Sequence, residues 1–511
     1  MLSVAKNLYS QNAGDTLFQS SHIHRVDIIL TQPNWWDSLV GYKLLGDSLQ
    51  QNFYIPAKVF INGQLFDSVG IRLKGNSSFG HPGMKKPIKL SFNQYRANQD
   101  FGGLKKLNLH NSALDPTMMR EKLMLDYLNK EGISAPRCTY ATVSYNGQYV
   151  GLYKVIEEVD KVFLQDRFGE NGGNLFKGDP AGNLMWGGSN PAAYYSTYEL
   201  KTNELQNDWT DLVDFINKLN NTPINAYKDT MDVKFNTLQF LRGWAMNSLC
   251  SNYDHYFNNP HNYYLYHKQL NNQFEWICWD VSVAMGCFFP YWSQAQLETT
   301  SVLHILSPPE QRPLCNNLLK INAYKELFLN AICNYLDSDF KESILFPKID
   351  SLARVLRPFV YAEPHANWMF PPPVFDFGQD TFTVRTPIGD IPGLKEWIIN
   401  RRVAVLQELR ALNWDCNVTE NERLLHVARS DEIVQVFPNP FSYYANMIVP
   451  DNVEYTDLKV YNITGKEMSV KLKIVGKRIE IERGDLAKGL YFYSLIDKNQ
   501  NVKYAGKMAV E

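Results

Sequence analysis

The 511-residue sequence predicts an α+β chain: a β-rich lobe, then a helical lobe, then a small all-β domain. Three observations predict it. Apolar residues alternate at period two, with Asn-Gly punctuation, across residues 24–180. The spacing then changes to three and four residues through 190–415, which is the helical period. Short alternating runs return from Val434 to Val510. The expected organisation is a flexible N-terminus at 1–22, one large two-lobed domain at 23–415, a linker at 416–432 and a small Ig-like β-sandwich at 433–511.

In the first lobe Val26, Ile28 and Leu30 alternate, as do Ala57, Val59 and Ile61 before Asn62-Gly63. Val69, Ile71 and Leu73 follow, then Ile88, Leu90 and Phe92. Tyr140–Tyr145 and Tyr149–Val155 form a further hairpin across Asn146-Gly147. One helix interrupts them, with Asp115 as N-cap, Pro116 at the first helical position and Gly132 beyond its end. In the second lobe Phe235, Leu238, Leu241, Ala245 and Leu249 mark a helix ending before Asp254. Helical patterns resume at 314–336, 341–356 and 394–412, with a loop at Pro371-Pro372-Pro373. Near the C-terminus, 447–449, 458–461, 470–474, 479–481, 490–496 and 503–510 read as strands. Turns are expected at Asn462–Gly465, Gly476, Gly489 and Asp497–Asn499.

A hydrophobic content of 45% with 13% aromatics is that of a globular chain. A net charge of −2 gives no electrostatic drive toward nucleic acid or anionic membrane, so any basic cluster is local. No apolar run approaches the length of a transmembrane helix. The seven cysteines show no CxxC pair, which argues against zinc, and their odd number argues against a disulfide framework. Cys278 and Cys287 flank Asp280 and read as small buried residues. Met1–Ser10 lacks the apolar core of a secretory signal.

The chemistry-bearing residues cluster in four places. Asp254 follows the helix ending at Leu249, in a loop that also carries Asn259, His261 and Asn262. Asp280 ends the apolar strand that begins at Trp276. One carboxylate to orient a hydroxyl, with an Asn and a second carboxylate to hold Mg²⁺ on a nucleotide, is what phosphoryl transfer requires. The same pair serves equally to cap turns in an aromatic core. His255, His261 and His304 lack ligand spacing and read as ordinary loop or core histidines. Arg72 and Lys74 share one strand face ahead of Gly75-Asn76-Ser77-Ser78, and Lys85, Lys86 and Lys89 follow. Such cations beside a glycine turn cradle phosphates, or else make a solvated basic edge. Glu121, early in the predicted helix, complements the helix dipole or pairs with Lys74 or Lys89, and it can do both. A β-rich lobe followed by a helical one, with chemistry near their junction, is compatible with a two-lobed phosphotransferase.

In series these motifs resemble the CotH kinase family over roughly residues 24–412. The resemblance rests on Arg72-Leu-Lys-Gly-Asn-Ser-Ser, Lys85-Lys-Pro-Ile-Lys-Leu, Leu107-Asn-Leu and Asp115-Pro-Thr-Met-Met-Arg-Glu. It continues in Asn146-Gly-Gln-Tyr-Val-Gly-Leu-Tyr with Glu157, Asn262-Tyr-Tyr-Leu-Tyr and Trp276-Ile-Cys-Trp-Asp. It implies an atypical protein-kinase-like fold and Mg²⁺- and ATP-dependent phosphorylation of Ser or Thr on extracellular or surface proteins. It further implies Asp254 as the catalytic carboxylate, Asp280 as a metal ligand, and Asn262 or Asn259 supporting metal or loop. Trp276 becomes a candidate for adenine stacking, with Arg72, Lys74, Lys89 and Glu121 around the nucleotide. The family commonly reads Trp-Asp-apolar-Asp at the last motif, where this chain has Asp280-Val281-Ser282. That departure opens an alternative: a catalytically silent surface protein acting in adhesion or in matrix or coat assembly.

The C-terminal run resembles the type A sorting domain of the type IX secretion system. It carries Val436-Phe-Pro438-Asn439-Pro440, Leu458-Lys-Val-Tyr461 through Gly465, Lys488-Gly489-Leu-Tyr491 and Gly506-Lys507-Met-Ala-Val510. This implies handling by that machinery, a Bacteroidota-type source and a secreted or cell-surface destination. A mis-called start or a removed leader would reconcile export with the unremarkable N-terminus.

Overall fold

The computed structural model describes residues 12–288, 291–368 and 389–414, short stretches between 370 and 386, Cys416, and most of 434–511. Two compact units divide the chain, Met1–Val418 and Thr419–Glu511.

The first unit begins with a closed barrel. Its strands are β1 (His24–Ile29), β2 (Ile55–Ile61), β3 (Gln64–Leu73), β4 (Ile88–Ser91), β5 (Lys106–His110), β6 (Cys138–Tyr145) and β7 (Gln148–Glu157). They run in the order β1-β2-β3-β4-β5-β7-β6, and β6 closes the ring by pairing in parallel with β1. Alternation dictates the interior: Val26, Ile28, Val59, Ile61, Ile71, Leu73, Ile88, Leu90, Leu107, Leu109 and Val143 fill one apolar core. Asn62-Gly63 and Asn146-Gly147 each hold two consecutive positive φ values, the requirement of a tight hairpin turn.

The same parity turns Arg72, Lys74, Lys89, Asn108, His110 and Lys154 to the barrel's other face. Register sets Arg72 opposite Lys89, Lys89 opposite Asn108, and His110 opposite Lys154. The helix Arg120–Lys130 packs here. It starts four residues later than the sequence suggests. Met118 takes a left-handed φ of 58°, so residues from Pro116 form a separate turn. Asp115 caps that turn through Thr117 N–H at 3.0 Å and still accepts the Arg120 N–H at 2.9 Å.

A second sheet runs β11-β10-β8-β9, from β8 (Leu175–Gly178), β9 (Tyr198–Leu200), β10 (Tyr263–Lys268) and β11 (Gln273–Cys278). Helices surround it: Thr210–Asn221, Ile224–Lys234, Thr237–Leu249, Pro313–Leu319, Asn322–Asp337, Glu342–Tyr361 and Leu394–Ala411. They share a large apolar core around Trp244, Trp276, Phe328 and Trp397. A small hairpin pairs β12 (Val384–Thr386) with β13 (Gly389–Ile391).

Several expectations need correction. The β-rich half also carries the helix Trp35–Leu49, whose tilted hydrophobic pattern exposes Leu44, Leu45 and Leu49 and so hides its period. The short turn at 14–17 is packed, not frayed: Leu17 is 1% exposed and Asp15 pairs with Arg137 at 2.7 Å. The odd cysteine count conceals one bridge, Cys333–Cys416, while Cys138, Cys250, Cys278, Cys287 and Cys315 are buried thiols. Residues 1–11, the Pro371–Pro373 loop, linker residues 417–432 and turn residues Gly465, Gly476 and Asn499 lie outside the described residues.

The second unit forms two four-stranded antiparallel sheets. One orders β14 (Gln435–Phe437), β15 (Tyr444–Ile448), β19 (Arg478–Glu482) and β18 (Lys471–Val475). The other orders β17 (Glu467–Met468), β16 (Asp457–Asn462), β20 (Gly489–Ile496) and β21 (Val502–Val510). Met447, Ile479 and Ile481 of the first share one core with Val460, Tyr491, Tyr493 and Met508 of the second.

The Cys333–Cys416 bridge closes a loop with a sequence separation of 83. Cys416→Ser is expected to destabilise the first unit by roughly 2–4 kcal/mol through a less restricted unfolded chain. Thermal unfolding without reductant checks this: a lowered midpoint is expected, and an unchanged one contradicts a stabilising bridge.

Candidate functional site

A cavity of about 400 Å³ opens where the outward face of β3, β4 and β5 meets the loops after the helix Thr237–Leu249 and after β11. Arg72, Lys74, Lys89, His110, Glu121, Lys154 and Glu158 line one wall; Asp254, His261, Asn262, Trp279, Asp280 and Ser282 line another. Gly75 sits between them at φ +82°, and a Cβ there would come within 2.3 Å of Ser78 Oγ. Only glycine tolerates that turn without strain.

Electrostatics organise the barrel wall. Glu121 and Lys154 form an ion pair at 2.7 Å, with both side chains about 1% exposed. His110 Nδ1 lies 2.9 Å from the other Glu121 oxygen. Burial pushes the Glu121 carboxyl up, yet Lys154 and His110 outweigh it and hold it well below the ordinary glutamate range. A second pair joins Lys89 to Glu158 at 2.6 Å, and Asn108 donates to the other Glu158 oxygen at 2.6 Å. Burial opposes that carboxylate too, and Lys89 with Lys74 brings it well below its usual range. Lys74 donates to Asn108 Oδ1 at 2.8 Å and lies 3.2 Å from His110 Nε2. Burial, then repulsion from Lys89, pushes its ammonium down to about 7.

The facing loop fixes Asp254. Its Oδ1 accepts from Asn259 Nδ2 at 2.8 Å and lies 2.7 Å from His261 Nε2; its Oδ2 accepts from Asn262 Nδ2 at 3.1 Å. Burial raises the Asp254 carboxyl, but the His261 hydrogen bond and charge, with both asparagines, leave it below the ordinary aspartate value. Burial alone would lower His261; Asp254, aided by Asp280 and Asp179, raises it instead. Asp280, two residues past the end of β11, has a positive φ of 45°, and its Oδ1 accepts the Ser282 hydroxyl at 2.7 Å.

The cavity thus gathers Arg72, Lys74, Lys89, Glu121, Asp254, Asn262 and Asp280. Two candidates sit elsewhere. Trp276 is 2% exposed and stacks on Tyr263 at 4.0 Å between ring centroids, so core packing occupies the face that adenine would need. The aromatic rings that line the cavity are Trp279 and Tyr264. Asn259 is outside the cavity lining and spends its amide on Asp254. The partner of Glu121 is Lys154, not Lys74 or Lys89, because Lys154 stands directly under the helix while Lys89 is taken by Glu158.

Sequence reasoning missed Asn108, His110, Lys154, Glu158 and His261. The parity argument that joined Arg72 to Lys74 also reaches Asn108 and His110 on β5, since i and i+2 share a face. His261 lies on a loop, where no periodicity marks it.

Among the described residues, no three His, Cys, Asp or Glu side chains come together as a metal-binding group. Mg²⁺ on a nucleotide needs no such cage, since one or two carboxylates with phosphate oxygens suffice. Asp280 and Asn262 both line the cavity, and one carboxylate with one amide oxygen fits that smaller requirement.

Because Glu121 and Glu158 are held below the ordinary value of 4.5, the stability they contribute is full above that pH. It is lost as pH falls through their folded-state values. Glu121→Gln removes the Glu121 share, so acid unfolding of the variant is expected to depend less steeply on pH below 4.5. It also leaves Lys154 buried without its counter-charge, at a cost of about 3–5 kcal/mol near neutrality. Denaturant titrations at several pH values check both: parallel curves for variant and wild type would contradict the first, and equal stability near neutral pH the second.

Comparison with known proteins bears on this arrangement. Inner spore coat protein H of Bacillus subtilis (strain 168) is 27% identical over 321 residues, covering 61% of this chain and 82% of that protein. Two solved kinases share weaker likeness, each at 10% identity. A Helicobacter pylori proinflammatory kinase covers 59% of this chain and 88% of its own, with a TM-score of 0.22. The Caenorhabditis elegans twitchin kinase region covers 94% and 78%, at 0.19. Scores this low carry no argument about fold or site. Residues 435–511 match the secretion system C-terminal sorting domain, and the chain bears that domain at its C-terminal end. Residues 71–405, more than half of the sequence and the whole of the cavity's chemistry from Arg72 to Ser282, match the CotH kinase protein model, and the chain belongs to that family.

Proposed function

We propose that the first unit is an ATP- and Mg²⁺-dependent phosphotransferase that phosphorylates Ser or Thr of extracellular or surface proteins. The observation that carries this reading is Asp254, an ionised carboxylate fixed by three side-chain donors in a cavity whose opposite wall is cationic. Oδ1 takes two of those donors and Oδ2 only Asn262, so Oδ2 keeps capacity to accept a hydroxyl proton. The acceptor oxygen bonds to the γ-phosphorus as the β–γ bridge breaks, ADP departs, and the hydroxyl proton passes to Asp254. Arg72, Lys74 and Lys89 supply positive charge for the phosphates, and Trp279 or Tyr264 supplies an aromatic face for the base. Asp280 and Asn262 would hold Mg²⁺, which supplies charge neutralisation on the phosphates.

The sorting domain supports a secreted or surface location and engagement with the type IX secretion machinery. The Cys333–Cys416 bridge agrees, since disulfides persist mainly in oxidising compartments. Among the described residues no helix is long and apolar enough to cross a membrane.

One observation favours a second reading. Where the family commonly carries a second acid, Ser282 donates to Asp280 Oδ1 and brings no charge. A catalytically silent surface protein using the same fold for adhesion or coat assembly is consistent with that.

Asp254→Asn is expected to lower phosphate transfer to protein acceptors about 10²-fold or more, because the amide cannot take the proton. Undiminished transfer by this variant contradicts the assignment. A wild type that binds ATP without transferring phosphate, with transfer gained in Ser282→Asp, would favour the second reading.

A further inference from the structure

Three lysines face the barrel wall of the cavity, and two are neutralised directly: Lys89 by Glu158 and Lys154 by Glu121. Lys74 differs. Among the described residues no carboxylate pairs with it. Its ammonium rests on two neutral acceptors, Asn108 Oδ1 at 2.8 Å and His110 Nε2 at 3.2 Å. Each acceptor leans on one of the same buried glutamates: Asn108 Nδ2 donates to Glu158 at 2.6 Å, and His110 Nδ1 lies 2.9 Å from Glu121.

Hydrogen bonding settles the His110 tautomer. The ionised Glu121 carboxylate can only accept, so the proton of the neutral ring sits on Nδ1 toward it, and Nε2 is left to accept from Lys74. Asn108 is oriented by the same logic, its amide N–H toward Glu158 and its oxygen toward Lys74. Asn108 and His110 are two residues apart on β5 and therefore side by side on one strand face. Trp279 closes the arrangement, with Lys74 Nζ 5.3 Å from its ring centroid and His110 edge-on at 6.2 Å.

We propose that Asn108 and His110 are positioning residues that hold Lys74 by neutral hydrogen bonds, so that its charge stays available for the phosphate chain of a nucleoside triphosphate. A carboxylate in either place would hold the lysine equally well and cancel it. The inference rests on the nucleotide reading above and deepens it, by naming the phosphate-facing lysine and what orients it. The downward-shifted Lys74 ammonium agrees with this arrangement, since an arriving phosphate restores the missing counter-charge.

Titration calorimetry of the full chain with ATP and with adenosine tests it, comparing wild type, His110→Asn and Lys74→Met. Asparagine keeps an N–H toward Glu121 but is too short to reach Lys74. The expected result is roughly tenfold weaker ATP binding in His110→Asn with adenosine affinity unchanged, the size of a lost hydrogen bond to a charged group. Combining both substitutions should weaken ATP binding no further than Lys74→Met alone. Unchanged ATP affinity in His110→Asn, or an equal loss for adenosine, overturns the proposal. Absence of ATP binding by wild type overturns the nucleotide reading instead. The cradle is then decided by acetylation of the wild-type chain at pH 7.5 without nucleotide, mapped by mass spectrometry. Lys74 reacting ahead of Lys89 and Lys154 supports it, and either ion-paired lysine reacting first overturns it.

Discussion

The buried ion pair between Glu121 and Lys154 is the constraint on which the rest of the first unit depends. Taking two charges out of water costs several kcal/mol each, and only close geometry with further hydrogen bonds offsets that. The pair meets this in part: 2.7 Å separates the charged atoms and His110 bonds the other carboxylate oxygen, while Lys154 Nζ has no further hydrogen-bond partner among the described residues. Lys154 is fixed by its register on β7 opposite His110, so the helix bearing Glu121 must pack at one height and one rotation. Leu123, Met124 and Leu128 of that helix then reach the core shared with the second sheet. A pair like this adds little net stability over an apolar one, but sliding the helix would leave two buried charges unmatched.

From that pair the division of charge around the cavity follows. Each buried glutamate neutralises one lysine and orients one neutral residue, and those neutral residues hold the third lysine. The facing loop holds its own charge differently, with Asp254 fixed by two amides and paired with His261. On the proposed reading, one wall offers an uncancelled cation for phosphate and the other an oriented carboxylate for a hydroxyl. Ser282 is the weak point of this symmetry, because it occupies an oxygen of Asp280 without adding charge.

Much of this was legible in the sequence because backbone periodicity wrote it there. The barrel strands and their Asn-Gly turns follow from alternation, and the helix Thr237–Leu249 follows from its apolar spacing. Arg72, Lys74, Asp254 and Asp280 were recognisable from residue type beside turns. Pairing was not legible. Glu121 selects Lys154 over Lys74 and Lys89 because of strand register, a long-range property that local pattern does not encode. Trp276 failed as an adenine platform for a related reason: alternation puts it on the strand face that Phe240, Tyr256 and Tyr263 cover. The helix Trp35–Leu49 was hidden by leucines left on its solvent side, and the helix expected from Pro116 begins only at Arg120 because of the left-handed turn at Met118.

The central claim is that the cavity between the barrel wall and the Asp254 loop receives the phosphates of a nucleotide. A crystal structure of the full chain with a non-hydrolysable ATP analogue and Mg²⁺ tests it most directly. The account expects phosphate oxygens within hydrogen-bonding distance of Lys74 Nζ, the metal on the Asp280 carboxylate, and the terminal phosphate facing Asp254. A nucleotide bound outside this cavity, or phosphates that leave Lys74 untouched, would contradict it.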